Sequence, residues 1–190
     1  MTDIVVDACC LINLVAAGDV LPTSSEKGKK SKKTPFPGTL HVPEIVANEA
    51  LYILQPDSDD PTALIKTPID LSASREQRLL LDCIIEGSEE SSLFVQLAVR
   101  LDDGEAAALA IAKNRSWTLA TDDRVAAKLA AELSVVVLNT PELVKLWADH
   151  VGANAKQIHE TINSIQTYAK FVPRRDSVEF EWWQKHAKRK

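Results

Sequence analysis

The chain has 190 residues, 45% of them apolar and 26% charged, with a formal net charge of -5. That length suits one compact domain with a sizeable core plus an extension. The acidic balance argues against a protein that coats nucleic acid nonspecifically, while leaving room for local basic patches. Six Gly and nine Pro exclude a fibrous or low-complexity chain, and three Cys, two of them adjacent (Cys9, Cys10), make neither a disulfide framework nor zinc-ligand spacing. Reduced thiols packed in a core are expected instead.

"DIVVDACCLINLVAAG" opens with a short β-branched run, then places Leu11, Ile12, Leu14 and Val15 at helical spacing before Gly18. No signal-peptide pattern precedes it and no apolar run is long enough to span a bilayer, so a cytoplasmic protein with no membrane partner is expected. Residues 22–39, "PTSSEKGKKSKKTPFPGT", read as an exposed lysine-rich insertion. "LHVPEIVANEALYIL" predicts a brief extended piece and then a helix over 43–54, with Pro43 near its first turn. "LIKTPIDLS" reads as a short strand or an ordered loop, and residues 73–87 and 91–101 as two amphipathic helices separated by "GSEES". Then follow a helix, "DDGEAAALAIAKN", a strand, "WTLAT", a helix, "DDRVAAKLAAEL", a strand, "VVVL", and a helix, "TPELVKLWADH". After Gly152 the alternation stops: "ANAKQIHETINSIQTYAKF" is one amphipathic helix, and a basic tail carries Trp182 and Trp183. The expected division is a domain over 1–150 and a helical extension with its tail over 151–190.

"IVV", "WTLA" and "VVVL" are continuous apolar runs, as in parallel strands covered on both faces. With helices between them, they predict an α/β fold of three layers, α/β/α, with a mostly parallel central sheet. A binding site then belongs outside the carboxyl ends of the strands. Asp7 follows "IVV" directly, and Asp122 follows "WTLA" after Thr121. Glu105 stands in the first turn of an Ala-rich helix, whose small side chains allow close approach to the sheet. Glu49, read as helical, lies about 140° around from Glu44 and is flanked by Ala47, Ala50 and Leu51.

Carboxylates gathered at one edge repel each other unless a cation or protons neutralise them. An all-oxygen donor set favours Mg²⁺ or Mn²⁺ over zinc, and divalent metals held by carboxylates suit phosphodiester hydrolysis. Each acid also has a structural role open to it. Asp7 can cap the helix that follows, Glu105 sits favourably in a helix's first turn, and Asp102 and Asp103 can cap the Glu105 helix. The two tryptophans can stack on bases or dock the tail.

"IVVDACCLINLV", "VPEIVANEAL", "LDDGEAAALAIAKN" and "TLATDDRVAAKLA", in that order over roughly residues 1–150, resemble the PIN-domain nucleases, especially the toxin ribonucleases of bacterial and archaeal toxin–antitoxin pairs. The resemblance implies a magnesium-dependent endoribonuclease, commonly dimeric and often silenced by a cognate antitoxin protein. It places the family's four acids on Asp7, Glu49, Glu105 and Asp122. Asp123 is then an adjacent acid that assists through water, and Arg124 a substrate contact. The chain departs from the family pattern at Ala8 and Cys9, where a small polar residue is usual, and at Ala127, a usual arginine position. Two other classes stay open: a non-catalytic module binding RNA or protein, and a different aspartate-based phosphoryl-transfer enzyme.

Overall fold

The computed structural model describes residues 3–18, 20–22, 35–49 and 51–188. Its strands are β1 (Ile4–Val6), β2 (Leu40–Pro43), β3 (Tyr52–Pro56), β4 (Leu64–Pro68), β5 (Leu80–Cys83), β6 (Thr118–Ala120) and β7 (Val137–Leu138). The helices are α1 (Ala8–Ala16), α2 (Glu44–Ala47), α3 (Ser72–Glu76), α4 (Gly87–Leu97), α5 (Asp103–Arg115), α6 (Arg124–Glu132), α7 (Thr140–Val151), α8 (Ala155–Ser164) and α9 (Phe180–Ala187). Five strands form one parallel sheet in the order β5-β2-β1-β6-β7, and β3 and β4 form a separate antiparallel pair.

The sheet's side chains alternate between two cores, as the two-residue strand period requires. Ile4, Val6, Leu40, Val42 and Leu80 pack on one face with α1, α7, α8 and α9. Val5, Cys83 and Leu119 pack on the other with α4, α5 and α6. The molecule is therefore α/β, with a five-stranded parallel sheet flanked by helices, an arrangement compatible with three layers.

From β1 the chain moves to β2 through α1, while from β6 it moves the opposite way to β7 through α6. Right-handed crossovers heading in opposite directions put their helices on opposite faces, and α1 and α6 do lie in opposite cores. The tips of β1 and β6 are therefore the topological switch point, where open α/β sheets form their binding crevice.

Helix α5 is buried on every side: Ala106, Ala107, Ala108, Leu109, Ala110, Ile111 and Ala112 are each 0% exposed. Such a helix needs small side chains, which explains its alanine run and its lack of a polar face. At its start, a Cβ on Gly104 would stand 2.5 Å from Glu49 Oε1 and 3.0 Å from Val46 Cγ2. Glycine at this position is what lets α2 and the residues after it close onto α5.

Three sequence expectations are corrected. The helix expected over 43–54 ends at Ala47, because Tyr52–Pro56 pairs with Leu64–Pro68 and buries Ile53. The helix expected over 73–87 breaks after Glu76, and Arg78 turns the chain with φ 55°. Leu80–Cys83 then pairs with β2; a short apolar run of this kind cannot be told from a buried helix segment by periodicity. "GSEES" is not a linker but the first part of α4. The insertion's lysine cluster, within 23–34, lies outside the described residues.

The long helix expected after Gly152 is α8 followed by a π-helical turn, Ile165–Ala169, that ends at Lys170 with φ 56°. Ile162, Ile165 and Trp183 are fully buried in the same core as Ile4 and Val6, so the tail docks through Trp183. Phe171 meets Trp183 edge-on, with ring centroids 5.7 Å apart. Among the described residues, no helix is long and apolar enough to cross a membrane.

Candidate functional site at the tips of β1 and β6

Asp7 leaves β1 at the switch point, where its backbone N–H donates to Ala120 O at 3.1 Å. Its Oδ1 accepts from the Cys10 N–H at 2.7 Å, so it caps α1 as its position allows. The residue is only 1% exposed, and its other oxygen, Oδ2, is buried without a hydrogen-bond partner. An uncompensated buried carboxylate is costly. Burial accordingly pushes the Asp7 carboxyl up to about 7, the nearby Asp122 charge adding to the rise and the Thr121 side chain and Cys10 N–H opposing it.

Asp122 is held quite differently. Its Oδ1 accepts from the Thr140 N–H at 2.9 Å; its Oδ2 accepts from the Thr140 hydroxyl at 2.5 Å and from Asn13 Nδ2 at 3.1 Å. Asn13 Nδ2 also donates to Thr140 Oγ1 at 2.9 Å, and the Cys10 thiol lies 3.5 Å from Asp122 Oδ2. Residues from α1, the β6 tip and the start of α7 thus fix one carboxylate in one orientation, the polar support expected of a ligand or catalytic group.

Glu105 lies in the first turn of α5, where its backbone N–H donates to Asp102 Oδ1 at 2.8 Å. Desolvation raises its carboxyl to about 7, with further contributions from Asp102, Asp123 and Asp7. Asp102, Asp123 and Asp7 thus all lie near enough to act on the Glu105 charge. Glu49, expected on a helix, instead lies exposed just beyond α2; desolvation and Asp102 raise its carboxyl. It therefore approaches from the α5 side, against Gly104.

Asp123 caps α6, its Oδ1 accepting from Val125 N at 2.7 Å and Ala126 N at 2.8 Å. The adjacent aspartates therefore divide: Asp122 faces the polar network and Asp123 starts the helix. Arg124 is exposed and paired through Nη2 with Asp176 Oδ2 at 2.5 Å. Cys10 is buried as expected, but Cys9 is exposed. Partial desolvation and the charges of Asp7, Asp122, Glu105 and Asp102 push the Cys9 thiol up to about 12, so it is a poor nucleophile.

Sequence reasoning missed Asn13, Thr140 and the electrostatic part played by Asp102. Thr140 follows β7 and was open to the same strand-end rule; Asn13 is the lone polar side chain within an apolar helical run.

Carboxylate oxygens dominate the donor set, and an unpartnered buried Asp7 oxygen beside Glu105 fits a hard divalent cation. Among the described residues, however, no three His, Cys, Asp or Glu side chains stand close enough to hold an ion as they lie. A cleft of about 420 Å³, lined by His41, Arg75, Asp82, Arg115 and Trp117 among others, contains none of the six expected site residues. Comparison with protein-family profiles, with curated proteins and with solved structures finds no match to this chain.

Proposed function

We propose that this chain is a metal-dependent endoribonuclease of the PIN-like type, working at the tips of β1 and β6. One observation carries the reading: Asp7 is buried with a free oxygen, at a carboxyl value near 7, next to a second raised acid, Glu105. A protein that merely capped α1 would gain nothing from the second oxygen or from the neighbouring charge. Strongly perturbed acids in a cleft are a mark of functional sites.

Asp7, Glu105 and Asp122 are the residues to hold Mg²⁺ or Mn²⁺, with Glu49 entering from beyond α2. A bound divalent ion supplies Lewis-acid polarisation of a phosphate and a water of lowered pKa. The chain's own part is orientation and charge. Thr140, Asn13 and the Cys10 N–H hold the carboxylates of Asp122 and Asp7 in place, and the ionised acids orient water toward the phosphodiester. At neutral pH, Asp7 and Glu105 stand near half protonation without a cation, so cation binding displaces protons.

RNA is the substrate in this reading, and a toxin–antitoxin role with a cognate antitoxin and a homodimeric assembly follows from the resemblance to PIN toxins. The alternative of a non-catalytic RNA- or protein-binding module is favoured by a single observation, the lack of three ligating side chains close together among the described residues. Incubation of purified protein with RNA and Mg²⁺ or Mn²⁺ separates the two. Cleavage that EDTA and Asp7→Asn both abolish supports the nuclease; cleavage indifferent to either, or none at all, rejects it.

A further inference from the structure

Beside Asp122 and Asp123 lies a second cleft, of about 240 Å³, that the four-acid reading does not use. Its far wall is the segment that leads from the π-helical turn to α9. Phe171, Val172 and Pro173 supply apolar surface, and Arg124 and Arg174 supply charge. Both guanidiniums share one carboxylate: Arg124 Nη2 donates to Asp176 Oδ2 at 2.5 Å and Arg174 Nε to Asp176 Oδ1 at 3.2 Å. Asp122 and Asp123 also line the cleft, so its positive charge is confined to the Arg124–Arg174 edge, across from the acids. Ser177 lines the same cleft, and its buried hydroxyl has no hydrogen-bond partner.

The segment is firmly seated. Trp183 is fully buried, Phe171 packs edge-on against it, and Glu179 accepts from Asn139 Nδ2 at 3.3 Å beside Lys145 Nζ at 3.9 Å. Asn139 is the N-cap of α7, one residue before the Thr140 that grips Asp122. The strap and the acidic site are thus braced by the same helix start, and the cleft has a fixed place relative to Asp122.

We propose that this cleft is a subsite for one nucleotide of single-stranded RNA, with a base against the Phe171–Pro173 wall and a phosphate at Arg124 and Arg174. The inference rests on the ribonuclease reading for the identity of the ligand. Its chemistry follows from the lining. An apolar and aromatic wall accepts any base by its flat face, and planar guanidiniums suit phosphate oxygens. A volume below the roughly 300 Å³ of common small-molecule sites suits a single ring system in place of a larger ligand. Asp176 holds the arginines in the free protein and competes with the incoming phosphate for them.

The test is binding of a short fluorescein-labelled single-stranded oligoribonucleotide, followed by anisotropy in EDTA, for the wild-type chain, Arg174→Ala, Val172→Asp and Asp176→Asn. Arg174, Val172 and Asp176 are exposed, so equal urea midpoints serve as the check on folding. Arg174→Ala weakens binding about tenfold and lowers the slope of log affinity against log salt by about 0.7, the value of one lost phosphate contact on a single strand. Val172→Asp weakens it by a similar factor, whereas Asp176→Asn tightens it, because the competing anion is gone. Cleavage with Mg²⁺ is assayed in parallel. RNA cleaved normally, with KM and oligonucleotide affinity unchanged in all three variants, overturns the subsite and leaves the nuclease standing. Binding with these three signs but no cleavage in any metal keeps the subsite and rejects the nuclease. Neither binding nor cleavage rejects both.

Discussion

Replacing Asp7 with Asn should make the metal-free protein more stable while destroying its proposed activity. In the folded chain the Asp7 carboxyl is raised from 3.8 to about 7, chiefly by burial. Because the folded state holds the proton more tightly than the unfolded one, stability falls as pH rises from about 4 to about 7, then stays low. At about 1.4 kcal/mol per pH unit, the full cost of ionising Asp7 at pH 8 is about 4 kcal/mol. Asn carries no charge and retains an oxygen for the Cys10 N–H, but its amide hydrogens need partners, so a gain of about 2–3 kcal/mol is expected. With a urea dependence of about 1–3 kcal/mol per molar, the midpoint at pH 8 in EDTA should rise by about 1 M. Urea unfolding at pH 8 and pH 5, with and without excess Mg²⁺, is the assay. The advantage of Asn should shrink at pH 5, where Asp7 is protonated, and shrink again in Mg²⁺, where only the wild-type chain gains a bound cation. A variant less stable than wild type at pH 8 in EDTA, or an advantage independent of pH, would refute the claim that Asp7 is held against its own charge.

The aspartate doublet should separate by function. Asp122→Asn abolishes RNA cleavage, whereas Asp123→Asn costs only a few tenths of a kcal/mol in urea unfolding, Asn being as good an N-cap as Asp, and reduces cleavage far less. Thr140→Val removes the hydroxyl that donates to Asp122 Oδ2 and accepts from Asn13; it should cost about 1–3 kcal/mol in stability and about tenfold or more in cleavage rate, with Thr140→Ser restoring most of both. Gly104→Ala places a Cβ 2.5 Å from the present position of Glu49 Oε1 and displaces that carboxylate, so cleavage should drop while urea stability changes by less than about 1 kcal/mol, alanine's better helix propensity offsetting the strain against Val46.

Much of the sheet was legible in the chain. Continuous apolar runs gave β1 and β6, and the Ala-rich segment gave α5, because full burial leaves a compositional mark. The strand-end rule places Asp7 and Asp122 at one edge, and the cap chemistry of Asp102 and Asp123 follows from local spacing alone. "LIKTPIDLS" offered a strand at Leu64–Pro68, but its hairpin partner Tyr52–Pro56 and strand Leu80–Cys83 were not legible. Their short apolar runs suit a helix face as well as a strand, and the choice was made by partners distant in sequence.

The sequence by itself determined the alternation of elements, the parallel sheet and which acids stand at strand ends or helix starts, since each depends on local composition and period. Only the tertiary structure decided how those acids differ. Asp7 and Asp122 end neighbouring strands, yet one keeps a buried oxygen with no partner while the other is gripped by Thr140 and Asn13, residues 18 and 109 positions away. Burial and hydrogen bonding are set by what folds over a group, and no local pattern around "VVDACC" or "LATDD" records that.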